Sequence, residues 1–288
     1  MRRIRTSPIH SNLSLFFIEY FLKCIVHYVT NNLNFTHKGV IVKQKKGERG
    51  TIGFQNIRYL LYYNNLIYKK WEDFMLDKKI EEEVRKIFEG LEKNVKLLVF
   101  TQDVECMYCE QNEELVRDIS ALTDKITFEV YDFVKDSEIV KKYGIDKIPA
   151  IVPLDEDGRD YSIRFFGIPS GYEFSSLLES IKLLSTGNHG LSDDTVKKIE
   201  GLQVPVHLQV YVTPTCPYCP RAVVLSHKLA YVSDRIRGDM VEAIEFPHLA
   251  NKYNVMGVPK TIINEKDYIE GAVPEPVFVD KILKSIES

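Results

Sequence analysis

Apolar and polar positions alternate along residues 77–288 with two different periods, which predict helices and strands in turn. Two mostly apolar runs, Val95–Thr101 and Val206–Val212, are typical of buried central strands. Residues 77–94 are predicted as an amphipathic helix, because their apolar side chains recur at the spacing of one helical face. These side chains are Ile80, Val84, Ile87 and Leu91.

The same reading gives bounds for the remaining elements. Helices are predicted at 77–94, 109–121, 137–143, 171–184, 193–202, 221–232, 247–253 and 276–286. Strands are predicted at 95–101, 126–131, 150–153, 161–166, 206–212, 240–244, 260–263 and 268–272. The order α-β-α-β-α-β-β-α therefore occurs twice, separated by a linker at 185–190. We expect an α/β protein with an N-terminal extension at 1–74, one unit at 75–187 and a second at 188–288.

The two halves repeat one pattern at a fixed offset of 110 residues. Matched positions are Cys106 with Cys216, Cys109 with Cys219, Tyr143 with Tyr253, and Pro149 with Pro259. Chance agreement of two cysteines, a tyrosine and a proline at one offset is improbable. The chain is therefore predicted to be a tandem duplication of one fold unit.

Each Cys-x-x-Cys pair follows a predicted strand and opens a predicted helix, where free N–H groups and the helix dipole favour a thiolate. By this logic Cys106 and Cys216 are exposed nucleophiles, and Cys109 and Cys219 resolve the mixed disulfide. A shared zinc site is the alternative, but zinc pairs are usually separated by about 15–20 residues. We therefore predict redox chemistry, with no metal and no cofactor.

Pro149 and Pro259 each follow a β-branched residue and start a predicted strand. Ordinary strand-entry prolines would look the same, but their equal distance from the cysteines favours a fixed position facing the thiols. We predict cis peptide bonds there. The backbone of Ile148 and Val258 is then predicted to bind an extended substrate by strand addition.

These motifs resemble the two-unit protein disulfide oxidoreductases, or glutaredoxin-like proteins, of hyperthermophilic archaea and bacteria. The resemblance covers roughly residues 75–288 and is carried by the segments Cys216–Cys219, Ile148–Pro149, Val258–Pro259, Phe165–Gly171 and Gly238–Ile244. It implies two tandem thioredoxin-like units, each a mixed central sheet flanked by helices. It also implies dithiol–disulfide exchange on proteins, cytoplasmic work in a thermophile, and a thioredoxin-reductase-type flavoprotein as electron source.

One departure concerns proton transfer. Thioredoxins carry a buried acid on the strand six residues before the first cysteine, and here those positions are Phe100 and Val210. The proton acceptor for the resolving thiol is therefore unassigned by sequence.

The surroundings of the two pairs differ. Asp103, Glu105 and Glu110 flank Cys106, whereas Thr215 and Arg221 lie near Cys216. One exposed charge about 6 Å away contributes on the order of 1 kcal/mol, less than one pKa unit. We expect the lower thiol pKa and the higher activity at Cys216, unless these acids only solvate a helix face.

Charge is distributed unevenly along the 288 residues. The net charge is −3, but residues 1–70 hold twelve basic and two acidic residues. The acidic remainder argues against nucleic acid as a partner. The basic segment, which contains Cys24, is expected to be dispensable or to precede the true start at Met75. A membrane anchor or an additional structural element are the alternatives, although Glu19 and Lys23 interrupt its apolar part.

Three functions follow from these patterns. The leading one is a protein disulfide oxidoreductase acting on protein disulfides and dithiols. The second is a dedicated electron carrier to peroxidases, resembling the paired thioredoxin-like units fused to bacterial flavoprotein reductases, a family that typically keeps one working dithiol. The third is a chaperone-like binding module that needs no paired thiols. A reductase using NADPH itself is not predicted, because no Gly-x-Gly-x-x-Gly follows a strand.

Overall fold

The computed structural model describes residues 33–36, 39–42, 51–52 and 78–287. The chain divides into two compact units, Met1–Met75 and Leu76–Ser288. In the first, strands β1, β2 and β3 form an antiparallel sheet in that order. They span Leu33–Thr36, Gly39–Val42 and Thr51–Ile52. The other residues of the predicted extension, including Cys24, lie outside the described residues, and the role of the extension stays a prediction.

The second unit contains eight strands, eight α-helices and one 3-10 turn among residues 78–287. The helices are α1 Lys78–Phe88, α2 Cys109–Ser120, α3 Ser137–Lys142, α4 Phe174–Thr186, α5 Asp193–Glu200, α6 Cys219–Val232, α7 Pro247–Lys252 and α8 Glu275–Glu287. The strands are β4 Val95–Thr101, β5 Ile126–Asp132, β6 Ala150–Leu154, β7 Ile163–Phe166, β8 Val206–Val212, β9 Ile236–Glu242, β10 Lys260–Ile263 and β11 Asp267–Glu270. The 3-10 turn spans Gly171–Glu173.

All eight of these strands belong to one mixed sheet with the order β11-β10-β8-β9-β7-β6-β4-β5. Each half contributes four strands, two of them paired in parallel and the others antiparallel. The halves meet where β7 pairs in parallel with β9. The predicted duplication is thus present, but the two sheets are fused edge to edge, which the sequence did not predict.

A core on one face of this sheet crosses the junction between the halves. Phe100, Tyr143 and Phe166 of the first half pack in the same cluster as Tyr211 and Val241 of the second. On the other face, α4 packs against α6. Burial of aromatic side chains of this size is a major stabilising contribution, so the halves share their hydrophobic stabilisation.

Two helix ends are capped by local signals. The Ser192 side chain accepts a hydrogen bond from the Thr195 backbone N–H at 3.3 Å and so caps the start of α5. Gly187, which is left-handed with φ 69°, caps the end of α4. Helix α1, however, ends at Phe88 rather than at Asn94, and Gly90 lies in the turn that follows.

Two predicted strand starts were wrong by more than one residue, and β11 starts at Asp267, one residue before its predicted start. Strand β9 begins at Ile236 rather than Met240, because Gly238 packs against α6 instead of forming a turn. A Cβ at Gly238 would lie 2.9 Å from Ser226 Oγ. Strand β7 begins at Ile163 rather than Tyr161, since Ser162 has a left-handed φ of 58°.

No helix in the described part of the chain is both long and apolar enough to cross a bilayer.

Candidate active sites

The two cysteine pairs occupy equivalent places in the two halves. Strand β4 ends at Thr101 and α2 begins at Cys109; β8 ends at Val212 and α6 begins at Cys219. Each pair therefore lies between the carboxyl end of a central strand and a helix N-terminus, where unpaired N–H groups stabilise negative charge. We call the pair Cys106–Cys109 with Ile148 and Pro149 site 1. The pair Cys216–Cys219 with Val258 and Pro259 is site 2.

Site 1 holds a disulfide. Cys106 and Cys109 are bonded, with their Cα atoms 5.5 Å apart. Cys106, predicted to be an exposed nucleophile, is partly exposed, and Cys109 is buried. The residue before the nucleophile, Glu105, has a left-handed φ of 60°.

Site 2 holds two free thiols. The Sγ of Cys216 accepts a hydrogen bond from the Cys219 backbone N–H at 3.2 Å and contacts the Val258 carbonyl oxygen at 3.7 Å. The expectation of an exposed leading thiol was wrong here, because Cys216 is buried, with only 9 % of its surface exposed. The carbonyl oxygen of Val258 lies against its sulfur. The hydrogen bond from the first turn of α6 is the interaction that stabilises a thiolate.

The two prolines immediately precede β6 and β10, which pair with β4 and β8, the strands that lead to the cysteine pairs. The Ile148–Pro149 and Val258–Pro259 bonds are both cis, as predicted. Both prolines are buried, whereas Ile148 and Val258 are partly exposed. The contact between Val258 and Cys216 brings the predicted residues of site 2 together, and substrate binding by these backbones stays a prediction.

Sequence reasoning missed Glu173, which the first half contributes to site 2. It is 1 % exposed, and its Oε2 accepts a hydrogen bond from Ser176 Oγ at 2.7 Å. Its Oε1 has no hydrogen-bond partner among residues 78–287. The adjacent Tyr172 donates its backbone N–H to Pro214 O at 2.9 Å, two residues before Cys216. The segment that carries this carboxyl group is thus attached to the cysteine loop of the other half.

Electrostatics link Glu173 to the resolving thiol. Burial raises the pKa of the Cys219 thiol well above its ordinary value; the hydrogen bond with Cys216 and the charges of Cys216 and Glu173 raise it further. Burial also raises the pKa of Glu173 to about 7. A carboxyl group that titrates near neutral pH beside a thiol that resists ionisation is suited to accept its proton.

The surfaces around the two sites differ in charge. Four exposed acidic residues belong to site 1: Asp103, Glu105, Glu110 and Asp146. At the offset of 110 their counterparts are uncharged: Thr213, Thr215, Pro220 and Met256. Large exposed apolar residues occur around both sites: Val104, Met107 and Val134 in the first half, and Tyr172, Tyr218, Ile244 and Met256 around site 2. The two sites therefore differ in charge rather than in exposed apolar surface.

The described residues contain no group of three or more His, Cys, Asp or Glu side chains arranged to hold a metal ion. The four cysteines are instead divided between a disulfide and a separate dithiol. A signal for Glu173 did exist in the sequence. Gly167, Pro169 and Gly171 lie within five residues, which is typical of a backbone path that avoids side-chain clashes.

Family models match both halves of the chain. Residues 206–284 match a thioredoxin domain, and residues 82–182 match a thioredoxin-like domain.

Curated relatives match over nearly the same region. The chain is 26 % identical over 219 residues to the F subunit of alkyl hydroperoxide reductase from Pseudomonas aeruginosa, covering 74 % of this chain and 38 % of the relative. It is 27 % identical over 211 residues to the corresponding protein from Escherichia coli, covering 72 % and 37 %. The chain thus spans little more than a third of the length of these relatives.

Two solved structures have a similar fold. A protein disulfide oxidoreductase from Aeropyrum pernix aligns with a TM-score of 0.69 at 29 % identity, covering 73 % of this chain and 94 % of that one. The NTD_N/C domain of alkylhydroperoxide reductase AhpF from Enterococcus faecalis aligns with a TM-score of 0.68 at 26 % identity, covering 72 % and 99 %. With the geometry of the two sites, these matches identify two tandem thioredoxin-like domains, each with a Cys-x-x-Cys pair of the disulfide oxidoreductase type.

Proposed function

We propose that the chain is a protein dithiol–disulfide oxidoreductase with two working sites, of which site 2 is the more active. The observation that carries the proposal is the arrangement of Cys216 and Cys219 at the start of α6. The leading sulfur is hydrogen-bonded there by a helix N–H, and a buried carboxyl group lies within electrostatic reach of the resolving thiol.

Reduction of a substrate at site 2 proceeds in two exchanges. The Cys216 thiolate attacks one sulfur of the substrate disulfide, forming a mixed disulfide and releasing the other sulfur as a thiolate. Cys219 then passes its proton to Oε1 of Glu173 and attacks Cys216 Sγ. This releases the second substrate thiolate and leaves a Cys216–Cys219 disulfide, so the dithiol loses the two electrons that the substrate gains. Substrate oxidation follows the reverse path.

The reduction potential of each pair tests this proposal. Full-length variants keep a single pair, with serine replacing either Cys106 and Cys109 or Cys216 and Cys219. We expect both variants to reduce a protein disulfide such as that of insulin, with the faster rate at site 2. A reduction potential of about −270 mV would indicate a reductase, and one of about −120 mV would indicate an oxidant. Activity that survives replacement of all four cysteines would favour the chaperone-like alternative.

A second candidate function is electron transfer between a flavoprotein reductase and a peroxidase. Its support is the match to the F subunit of alkyl hydroperoxide reductase over about a third of that protein. The two functions differ in their acceptor. An electron carrier would turn over a peroxidase quickly in the presence of a flavoprotein reductase, yet reduce insulin slowly. Thioredoxin-reductase-type flavoproteins are the proposed electron source in both cases, and a cytoplasmic location in a thermophile stays a prediction.

A further inference from the structure

One short segment connects the two sites. Residues 167–173, which we call the bridging segment, leave β7 beside site 1 and reach site 2. At its start the Gly167 N–H donates to Pro149 O at 2.9 Å, and near its end the Tyr172 N–H donates to Pro214 O at 2.9 Å. Gly171 has a φ of 59°, and a Cβ there would lie 2.3 Å from Pro214 O. The segment therefore follows a closely confined path.

A continuous series of hydrogen bonds runs from Glu245 along this segment to Glu173. Glu245 Oε1 accepts the Ile168 N–H at 2.7 Å. Ile168 O then accepts the Ser170 N–H at 2.8 Å, and Ser170 O accepts the Glu173 N–H at 3.1 Å. Only the first of these bonds is made by a side chain. Glu245 is therefore the point at which substitution can release the series without altering the backbone.

Glu245 is itself fixed to the strand next to site 2. Its backbone N–H donates to Glu242 Oε2 at 2.6 Å, and Glu242 pairs with Val212, the last residue of β8 before the cysteine loop. Glu242 is buried, and its Cβ lies 2.6 Å from where a Cβ on Gly167 would be. The acceptor of the Ile168 N–H thus belongs to the element that also positions Cys216.

Helix α4, which follows Glu173, has a separate attachment. Ser180 Oγ lies 2.9 Å from His227 Nδ1 on α6, in a fully buried contact. Burial lowers the pKa of His227 to about 3, so the imidazole is neutral at ordinary pH. Loss of the Glu245 contact would therefore loosen the bridging segment at Ile168 without detaching α4.

We propose that Glu245 is a positioning residue for site 2: it holds the bridging segment so that the carboxyl group of Glu173 stays in reach of Cys219. The inference rests on the proposed function, since it assigns Glu245 to the proton transfer of the resolving step. Glu245 belongs to the second half and Glu173 to the first, so the acid–base group of site 2 depends on contacts between the halves.

Two conservative substitutions distinguish the effect of the length of the Glu245 side chain from the effect of its charge. Glu245→Gln keeps an acceptor oxygen at the same reach and removes the charge. Glu245→Asp keeps the charge, but its side chain is one methylene shorter. Both are made in the full-length chain with Cys106 and Cys109 replaced by serine, so that only site 2 reacts. Lys135→Ala, at the corresponding position of the first half, is the matched control.

The readout is the resolving step itself. An aromatic disulfide reagent such as dithiobis-nitrobenzoate releases one coloured thiolate when Cys216 attacks and a second when Cys219 resolves the mixed disulfide. We expect Glu245→Asp to slow only the second release, by about 3- to 10-fold, while Glu245→Gln and Lys135→Ala stay within about 2-fold of the parent. The expected slowing is smaller than the 10²- to 10⁴-fold that general acid–base catalysis supplies, because Glu245→Asp displaces the acid–base group and does not remove it.

A double substitution distinguishes positioning from general damage. If Glu245 acts through Glu173, Glu245→Asp adds nothing to Glu173→Gln, because the two effects are not additive. Additive slowing, a slowed first release, or a Gln variant as slow as the Asp variant would overturn the proposal. The reagent needs no biological substrate, so failure of the proposed function would appear separately, as a parent that resolves normally but does not reduce insulin.

Discussion

Sites 1 and 2 have the same sequence spacing but different surroundings. Site 1 contains a partly exposed sulfur in a disulfide, and four exposed acidic residues lie in its loops and in the first turn of α2. Site 2 contains a nearly buried thiol and receives Tyr172 and Glu173 from the other half. The two sites of the duplication are therefore chemically distinct, and the difference is concentrated in what the first half contributes to the second.

The fusion of the two sheets accounts for this asymmetry. The bridging segment follows β7, the strand that pairs with the second half, so it reaches site 2 directly. The corresponding segment of the second half follows β11, which lies at the outer edge of the sheet. An edge-to-edge fusion of two similar units can therefore give one site an acid–base group from its neighbour.

The largest expected effect comes from closing the space at Gly171. Gly171→Ala combines a left-handed φ, which costs about 1–2 kcal/mol, with overpacking against Pro214, which costs about 1–3 kcal/mol. Unfolding in denaturant should show a loss of about 2–5 kcal/mol, and resolution at site 2 should slow while site 1 is unchanged. Gly158→Ala is the matched control, since it has a φ of 77° but no atom within 4 Å. An equal loss of unfolding free energy in both variants would show that Pro214 does not confine the backbone at Gly171.

Removing the carboxyl group of Glu173 should make the protein more stable and site 2 slower. Burial raises its pKa from 4.5 to about 7. Between these values the folded state retains a proton that the unfolded state has lost, so the stability of the parent falls as pH rises and the full cost applies above pH 7. At 1.36 kcal/mol per unit, Glu173→Gln should gain about 3 kcal/mol at pH 8 and nothing at pH 4.

The rate of the resolving step should change with pH in the opposite direction to the stability. Resolution at site 2 of the parent should accelerate as pH rises through about 7, where Glu173 ionises and can accept the proton. Glu173→Gln should remove this acceleration and slow the step by about 100-fold. A variant with the rate and pH profile of the parent would exclude Glu173 as the acceptor.

Substrate charge should separate the two sites more modestly. The acidic residues at site 1 favour disulfides flanked by Lys or Arg, whereas site 2 lacks acids at these positions. With single-pair variants, site 1 should react about 10-fold faster with basic than with acidic peptides at low salt, and the preference should fade near 1 M salt. Replacing Asp103 and Glu105 with threonine, as in site 2, should reduce the preference. A preference for basic peptides that persists at high salt would show that the acidic residues of site 1 are not its cause.

The smallest expected difference is in the leading thiols. We expect Cys216 to titrate below Cys106 by less than about one pKa unit, because exposed charges act weakly at this distance. Alkylation rates of the reduced single-pair variants as a function of pH measure both values. If Cys106 titrates at or below Cys216, the acidic residues only solvate their surface.

The local features of the fold could be predicted from sequence because they depend on local signals. Apolar runs located β4 and β8, and the common offset located both cysteine pairs and both cis prolines. Errors arose where a distant contact decided the outcome. Strand β9 begins four residues earlier than predicted, because Gly238 belongs to the strand and α6 packs against it.

The parts of site 2 that the sequence did not predict come from the other half. Glu173 is a single acid with no periodic pattern, and only the pairing of β7 with β9 brings its segment to Cys219. This contact leaves no signal in the offset between the halves, because both halves carry the Cys-x-x-Cys motif, whereas Glu173 belongs to the first half alone.

The junction of β7 with β9 also limits how this duplication can be taken apart. A half produced alone would present one of these strands as an open edge, with the adjacent core face uncovered, and such edges recruit other chains. Engineering that aims at a minimal single-site catalyst must therefore keep the two middle strands together, or redesign both before separating them.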